Sequence, residues 1–197
     1  QATHRDRFTA AAALLRLVAA RFVGVPASAV AVDRTCEHCG RPHGRPRIAG
    51  SEAASLDVSV SHAGRYAAIA ACLGHRVGID IETIRPDYAD LLDAACTPAE
   101  AARVHTPRDF AATWVRKEAV LKATGAGLAT PPRDVAVSGP GEPPRVVRLA
   151  DGAPSAWQLH DIAVDADHAG AVAIEATRPV RLDIVAFELP DARPLRA

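Results

Sequence analysis

The sequence predicts a mixed α/β (α+β) fold made of two similar halves, each a mainly antiparallel sheet packed with a long helix. Three observations lead there. A stretch near the start carries apolar residues at helical spacing, and a longer helix in the middle is closed by a glycine. Short β-branched runs separated by Gly, Pro and Asp read as strands joined by tight connections. A weak internal repeat also places His62-Ala63-Gly64 and His168-Ala169-Gly170 each before an apolar strand, with a loose echo of Arg76–Glu82 in Arg181–Glu188. The matches are short for an Ala/Val-rich chain, but they suggest two halves, expected over residues 1–74 and 75–197, with a cleft between them as a natural ligand site.

The elements follow in order. From Arg5 to Val23 the positions Phe8, Leu15, Val18 and Phe22 recur on one helical face, closed by Gly24. Between Cys36 and Ser55 the density of Gly, Pro, Arg and Cys suits an irregular binding loop. Strands are expected at Leu56–Val60, Tyr66–Leu73 and Val77–Ile81. Thr97-Pro98-Ala99-Glu100 has the form of a capping box with Pro at the first helical position, so a short helix starts there. A longer helix runs from about Arg108 to Thr124 and stops at Gly125. Beyond Pro131 a meander is expected: Val135–Val137, Arg145–Leu149, Trp157–Ile162, Ala171–Ile174 and Leu182–Phe187.

Composition excludes several classes. The 197 residues are 49% hydrophobic, enough for one sizeable core or two small ones, and no run of about 20 apolar residues offers a membrane span. Basic and acidic residues balance at 23 each, so no global field favours nucleic acid or an anionic membrane. Four cysteines without a secretion signal are expected as reduced thiols in the cytoplasm. The chain opens on Gln1 and contains no Met, so an N-terminal piece is expected to be missing.

Of the 23 basic residues only Lys117 and Lys122 are lysines, and they fall close together. A site that keeps a compact ammonium against an arginine-rich coding bias has a use for one, since the two cations differ in shape and hydration. Asp80 and Glu82 are two apart on an expected strand and therefore point to one face. Alone, such a pair is more often a solvated strand face. Glu118 and Lys122 are four apart on the long helix, with Trp114 a turn earlier; alone, they are an ordinary surface pair worth about 0.3–0.5 kcal/mol. Together, three carboxylates call for a hard cation such as magnesium, and a lysine one turn on can meet a phosphate. That combination suits phosphoryl chemistry.

Val77-Gly78-Ile79-Asp80-Ile81-Glu82, followed by Trp114-Val115-Arg116-Lys117-Glu118-Ala119-Val120-Leu121-Lys122, resembles the paired G-I-D-I/V-E and W-x-x-K-E-A-x-x-K signatures of 4′-phosphopantetheinyl transferases. Ser61-His62-Ala63-Gly64-Arg65-Tyr66 resembles a third block of that family in the expected order. The complete second signature and the chain length point to the surfactin-synthetase type. This resemblance implies a pseudo-dimer and the transfer of the phosphopantetheine arm of coenzyme A to a serine of an apo acyl or peptidyl carrier protein, with adenosine 3′,5′-bisphosphate released. It implies magnesium on Asp80, Glu82 and Glu118, Glu118 as the base for the serine, and Lys122 on the phosphates. Lys117, Ser61 and His62 are expected at coenzyme A, and so is Arg45, through the match of Gly44-Arg45-Pro46 to a G-K/R-P element.

The family usually carries an N-terminal segment before the first helix and a basic residue where this chain has Ala10–Ala13, which leaves the roles of Arg7 and Arg16 open. A monomer would suffice for two halves in one chain. Two other readings remain: a magnesium-dependent nucleotide-diphosphate hydrolase using the same carboxylates, and an inactive module that binds coenzyme A or a carrier protein. Cys36, Cys39 and His43 are zinc-ligand types, but no fourth ligand or second pair is evident, since Cys72 and Cys96 stand apart, and the sequence leaves the cluster unassigned.

Overall fold

The computed structural model describes residues 2–37, 39–50, 53–126 and 130–186. Helix α1 (Ala2–Val23) leads through a short antiparallel pair, β1 (Val32–Asp33) and β2 (Arg47–Ile48), into the hairpin β3 (Leu56–Ala63) and β4 (Tyr66–Leu73). Strand β5 (Val77–Thr83) follows, then α2 (Ala89–Ala95), α3 (Pro98–Ala101) and the long α4 (Pro107–Thr124). A small hairpin of β6 (Ala136–Val137) and β7 (Val146–Arg148) precedes β8 (Trp157–Ile162) and β9 (His168–Glu175). Every strand ladder is antiparallel. No helix among the described residues is long and apolar enough to cross a membrane.

Local chemistry fixes the helix ends. Thr97 and Thr106 each form a full capping box, with Glu100 and Asp109 reaching back to the cap backbone, and Pro98 and Pro107 follow where no N–H is needed. Helix α4 ends at Gly125. Its buried face, with Val115, Ala119, Val120 and Ala123, packs on Ala171 and Ala173 of β9, while Leu15 and Ala19 of α1 pack on Leu56 and Val58 of β3. Gly78 sets the closeness of α4 to β5: a Cβ there would sit 1.9 Å from the Ala119 carbonyl oxygen. Side chains alternate along β5, so Gly78, Asp80 and Glu82 face α4, and Val77 and Ile79 enter a separate cluster with Ala70, Val172 and Ile174.

Strands β3 and β5 do not share a backbone ladder. Three alternate side chains of β3 join them instead: Asp57 accepts from the N–H of Val77 (2.7 Å), Ser59 from Ile79 (3.1 Å) and Ser61 from Ile81 (3.2 Å). These bonds satisfy donors on the edge of β5 that would otherwise go unmet in a buried setting.

Two expectations are corrected. The C-terminal part is not a simple meander, because β9 lies at the centre of a sheet ordered β5-β9-β8, pairing Asp80 with Ala171 and Glu82 with Ala169. The expected strand Leu182–Phe187 is not formed over 182–186, and Phe187 lies outside the described residues. Backbone groups just before it bond to Gln158: its amide donates to the carbonyls of Ala176 and Arg178 and accepts from the Val180 N–H. Ile184 and Val185 are exposed, and among the described residues of that segment only Val180 and Leu182 pack, partly buried, against the cluster that holds Val77, Ile79, Val172 and Ile174.

Candidate active site

A cavity of about 330 Å³ opens between α1, the loop before β2, the end of β3, β5 and α4, and its lining includes Ser61, His62, Asp80, Glu82, Glu118 and Lys122. The parity of β5 explains the carboxylates: with Gly78 against α4, Asp80 and Glu82 fall on the same face, towards the helix that carries Glu118 and Lys122 one turn apart.

Asp80 is only 4% exposed. One carboxylate oxygen, Oδ1, accepts from Lys122 Nζ (2.6 Å) and Ser61 Oγ (2.8 Å), while Oδ2 is buried without a hydrogen-bond partner. Burial pushes the Asp80 carboxyl above the usual range, against the pull of the Lys122 ammonium. Burial likewise raises Glu82, and the neighbouring Asp80 charge adds to it. Glu118 is raised by burial first and then by Asp80, with Lys122 opposing and Glu82 adding a smaller push. Mutual repulsion with a single ammonium to offset it, and an orphaned buried carboxylate oxygen, are the features a hard divalent cation relieves. Asp80, Glu82 and Glu118 could hold one.

Ser61 does more than line the cavity. Its hydroxyl accepts from Ile81 N–H and donates to Asp80, so it ties β3 to β5 and orients the carboxylate at once. His62 also lines the cavity.

Two residues expected at coenzyme A sit elsewhere. Lys117 is fully buried: its ammonium donates to Glu100 Oε2 (2.7 Å) and to the carbonyls of Val135 (2.6 Å) and Pro132 (3.2 Å). Residues 117 and 118 point about a hundred degrees apart on a helix, so with Glu118 in the cavity Lys117 enters the protein. Arg45 pairs with Asp57 and donates to the carbonyls of Ala123 (3.0 Å) and Val77 (2.9 Å), which holds its loop to the end of α4 and the start of β5 and leaves only its buried Nε without a partner. The basic loop residue on the cavity is Arg34, with its Nε buried and unpartnered and its guanidinium carbon 5.9 Å from the centroid of the Phe8 ring. Sequence reasoning passed over Arg34 because no motif contains it; the Arg-rich loop that begins two residues later was the available signal. Arg16 donates back to the Ala12 carbonyl of its own helix, and the side chain of Arg7 lies outside what the structure describes.

The mixed α/β scaffold thus presents an acidic, lysine-edged cavity of the kind that handles phosphate esters. A profile of the 4′-phosphopantetheinyl transferase superfamily matches residues 76–173, which include Asp80, Glu82, Glu118 and Lys122. The 4′-phosphopantetheinyl transferase HetI of Nostoc sp. is 32% identical over 179 residues, covering 87% of this chain and 71% of HetI. The protein slr0495 of Synechocystis sp. is 30% identical over 95 residues, 44% of this chain and 39% of that protein. Among solved structures, the Mycobacterium tuberculosis acyl carrier protein synthase is 34% identical over 50% of this chain and 94% of its own, with a TM-score of 0.35. A Chronobacterium ammoniagenes ACPS–CoA complex is 22% identical over 53% of this chain and 98% of its own, with a TM-score of 0.34. The chain belongs to the 4′-phosphopantetheinyl transferase superfamily.

Proposed function

We propose that this enzyme moves the 4′-phosphopantetheine arm of coenzyme A to a serine hydroxyl of an apo acyl or peptidyl carrier protein, with Asp80, Glu82 and Glu118 holding magnesium. The convergence of these three carboxylates with Lys122 on one cavity carries the reading. Magnesium, when bound, would neutralise charge on the pyrophosphate and on the oxygen that leaves.

The serine oxygen attacks the β-phosphorus, a new phosphodiester bond forms, and the bond to adenosine 3′,5′-bisphosphate breaks. Glu118, the carboxylate that α4 brings to the cavity, takes the serine proton. Asp80 and Ser61 keep the geometry fixed, so that catalysis is mostly positioning and charge neutralisation. The Lys122 ammonium, paired with Asp80 at 2.6 Å, would meet the phosphates. His62 and Arg34, also on the cavity lining, supply further donors to the nucleotide.

The two-half division near residue 75, action as a monomer and a cytoplasmic location belong to the same proposal. Chromatography of the nucleotide product tests it. Adenosine 3′,5′-bisphosphate should appear from coenzyme A and magnesium only when an apo carrier protein is present; release without a carrier would identify a hydrolase instead.

A further inference from the structure

We propose that Cys36, Cys39 and His43 form a zinc site that fastens the connection between β1 and β2 beside the rim of the active-site cavity. The ends of this connection are held by the β1–β2 pairing, Asp33 opposite Arg47. Within it the backbone doubles back tightly: Cys36 N–H donates to the Arg41 carbonyl (2.9 Å), Gly40 N–H to Cys36 (2.8 Å) and Gly44 N–H to Arg34 (2.7 Å). Gly44 permits this fold, since a Cβ there would lie 2.7 Å from the Thr35 carbonyl oxygen and 2.9 Å from the Cys36 Cα.

The turn brings one donor atom from each of the three residues within 4.8 Å of the other two, with Cys39 Sγ 2.9 Å from His43 Nε2. Zinc bonds of about 2.3 Å to sulfur and about 2.0–2.1 Å to nitrogen, arranged tetrahedrally, would place such donors roughly 3.6–3.8 Å apart. The protein therefore already gathers the three donors, and Cys39 and His43 would part by about 0.6–0.7 Å to admit the ion between them. Among the described residues no fourth ligand joins the three, and Cys39 and His43 are exposed, so water can reach the fourth tetrahedral position.

Ligand chemistry separates this site from the cavity. Thiolate and imidazole select zinc, and the all-oxygen set of Asp80, Glu82 and Glu118 selects a hard cation. The consequence is local order: Arg34 and Pro46, both on the cavity lining, flank the segment the ion would staple.

Cobalt substitution tests this on the full chain, reduced, stripped with chelator and held in excess Mg2+ so that oxygen sites are filled. One equivalent of Co2+ should produce sulfur-to-cobalt charge-transfer absorption and tetrahedral ligand-field bands, both removed by one equivalent of Zn2+. Cys39→Ser should roughly halve the charge-transfer band, Cys36→Ser combined with Cys39→Ser should abolish it, and His43→Ala, checked for folding by circular dichroism, should weaken zinc binding at least tenfold. Absence of the band in the reduced wild-type protein would overturn the proposal, as would a band that survives Cys36→Ser combined with Cys39→Ser.

Discussion

Replacing Lys117 by Met separates a structural role from a substrate-binding one. The ammonium and Glu100 are 0% and 6% exposed at their side chains, so the substitution removes one partner of a buried ion pair and keeps the aliphatic stem. Stranding a buried charge costs about 3–5 kcal/mol. Glu100 would retain three donors, the Thr97 N–H and hydroxyl (2.8 Å each) and the Val137 N–H (2.9 Å), which places the expected loss near the lower end, about 3 kcal/mol. For a chain of this size that lowers the unfolding midpoint by about 6–12 °C, and a total stability of about 5–15 kcal/mol leaves the variant folded at room temperature. Urea and thermal unfolding followed by circular dichroism measure the loss, and calorimetry measures coenzyme A binding by the folded variant. Binding should be unchanged, and adding Glu100→Gln should recover part of the stability because the stranded charge is gone. A variant within about 1 kcal/mol of wild type in stability that binds coenzyme A tenfold more weakly would refute the buried-pair assignment.

Other substitutions probe the site and its supports. Ser59→Ala and Ser61→Ala each leave a buried N–H of β5 without an acceptor and should cost about 1–3 kcal/mol in urea unfolding. Only Ser61→Ala should also weaken Mg2+ in calorimetric titration, because it alone releases Asp80. Glu118→Gln should slow transfer by about 10²–10⁴-fold. It should also raise the melting temperature of the metal-free enzyme at neutral pH. Because the Glu118 carboxyl is raised in the folded state, that state holds the proton more tightly than the unfolded chain, and stability falls as pH climbs from the ordinary glutamate range through the folded value. Melting curves in chelator across that window should therefore show wild type and variant converging at low pH and diverging above it. Gly78→Ala drives a Cβ into the Ala119 carbonyl and should destabilise by at least about 1–3 kcal/mol while parting α4 from β5, seen as loss of both Mg2+ binding and soluble folded protein.

Local patterns made much of the fold legible. The hairpin strand Tyr66–Leu73 and Trp157–Ile162 match their expected bounds, and the capping box at Thr97 fixes its helix start, because periodicity and caps act over a few residues. The carboxylate set was legible for the same reason: strand and helix spacing assign Asp80 with Glu82, and Glu118 with Lys122, to common faces. What sequence hid was decided by packing. Lys117 and Glu118 are neighbours, and only the depth of α4 shows which of them enters the core. Arg45 and Arg34 flank one loop, and the fold of that loop puts Arg34, the one without a motif, on the cavity. The splice through Asp57, Ser59 and Ser61 joins strands whose alternating polar residues look like an ordinary solvent face. Apolar Leu182 to Val185 resembles a strand, but the preceding backbone bonds to a glutamine side chain.

The most direct test of the central claim is intact-protein mass spectrometry of an apo carrier protein incubated with this enzyme, coenzyme A and Mg2+. The carrier should gain the mass of one phosphopantetheine, and Glu118→Ala or a chelator should abolish the gain. If several apo acyl and peptidyl carriers gain nothing while the enzyme binds coenzyme A, the carboxylate cavity does not perform the transfer.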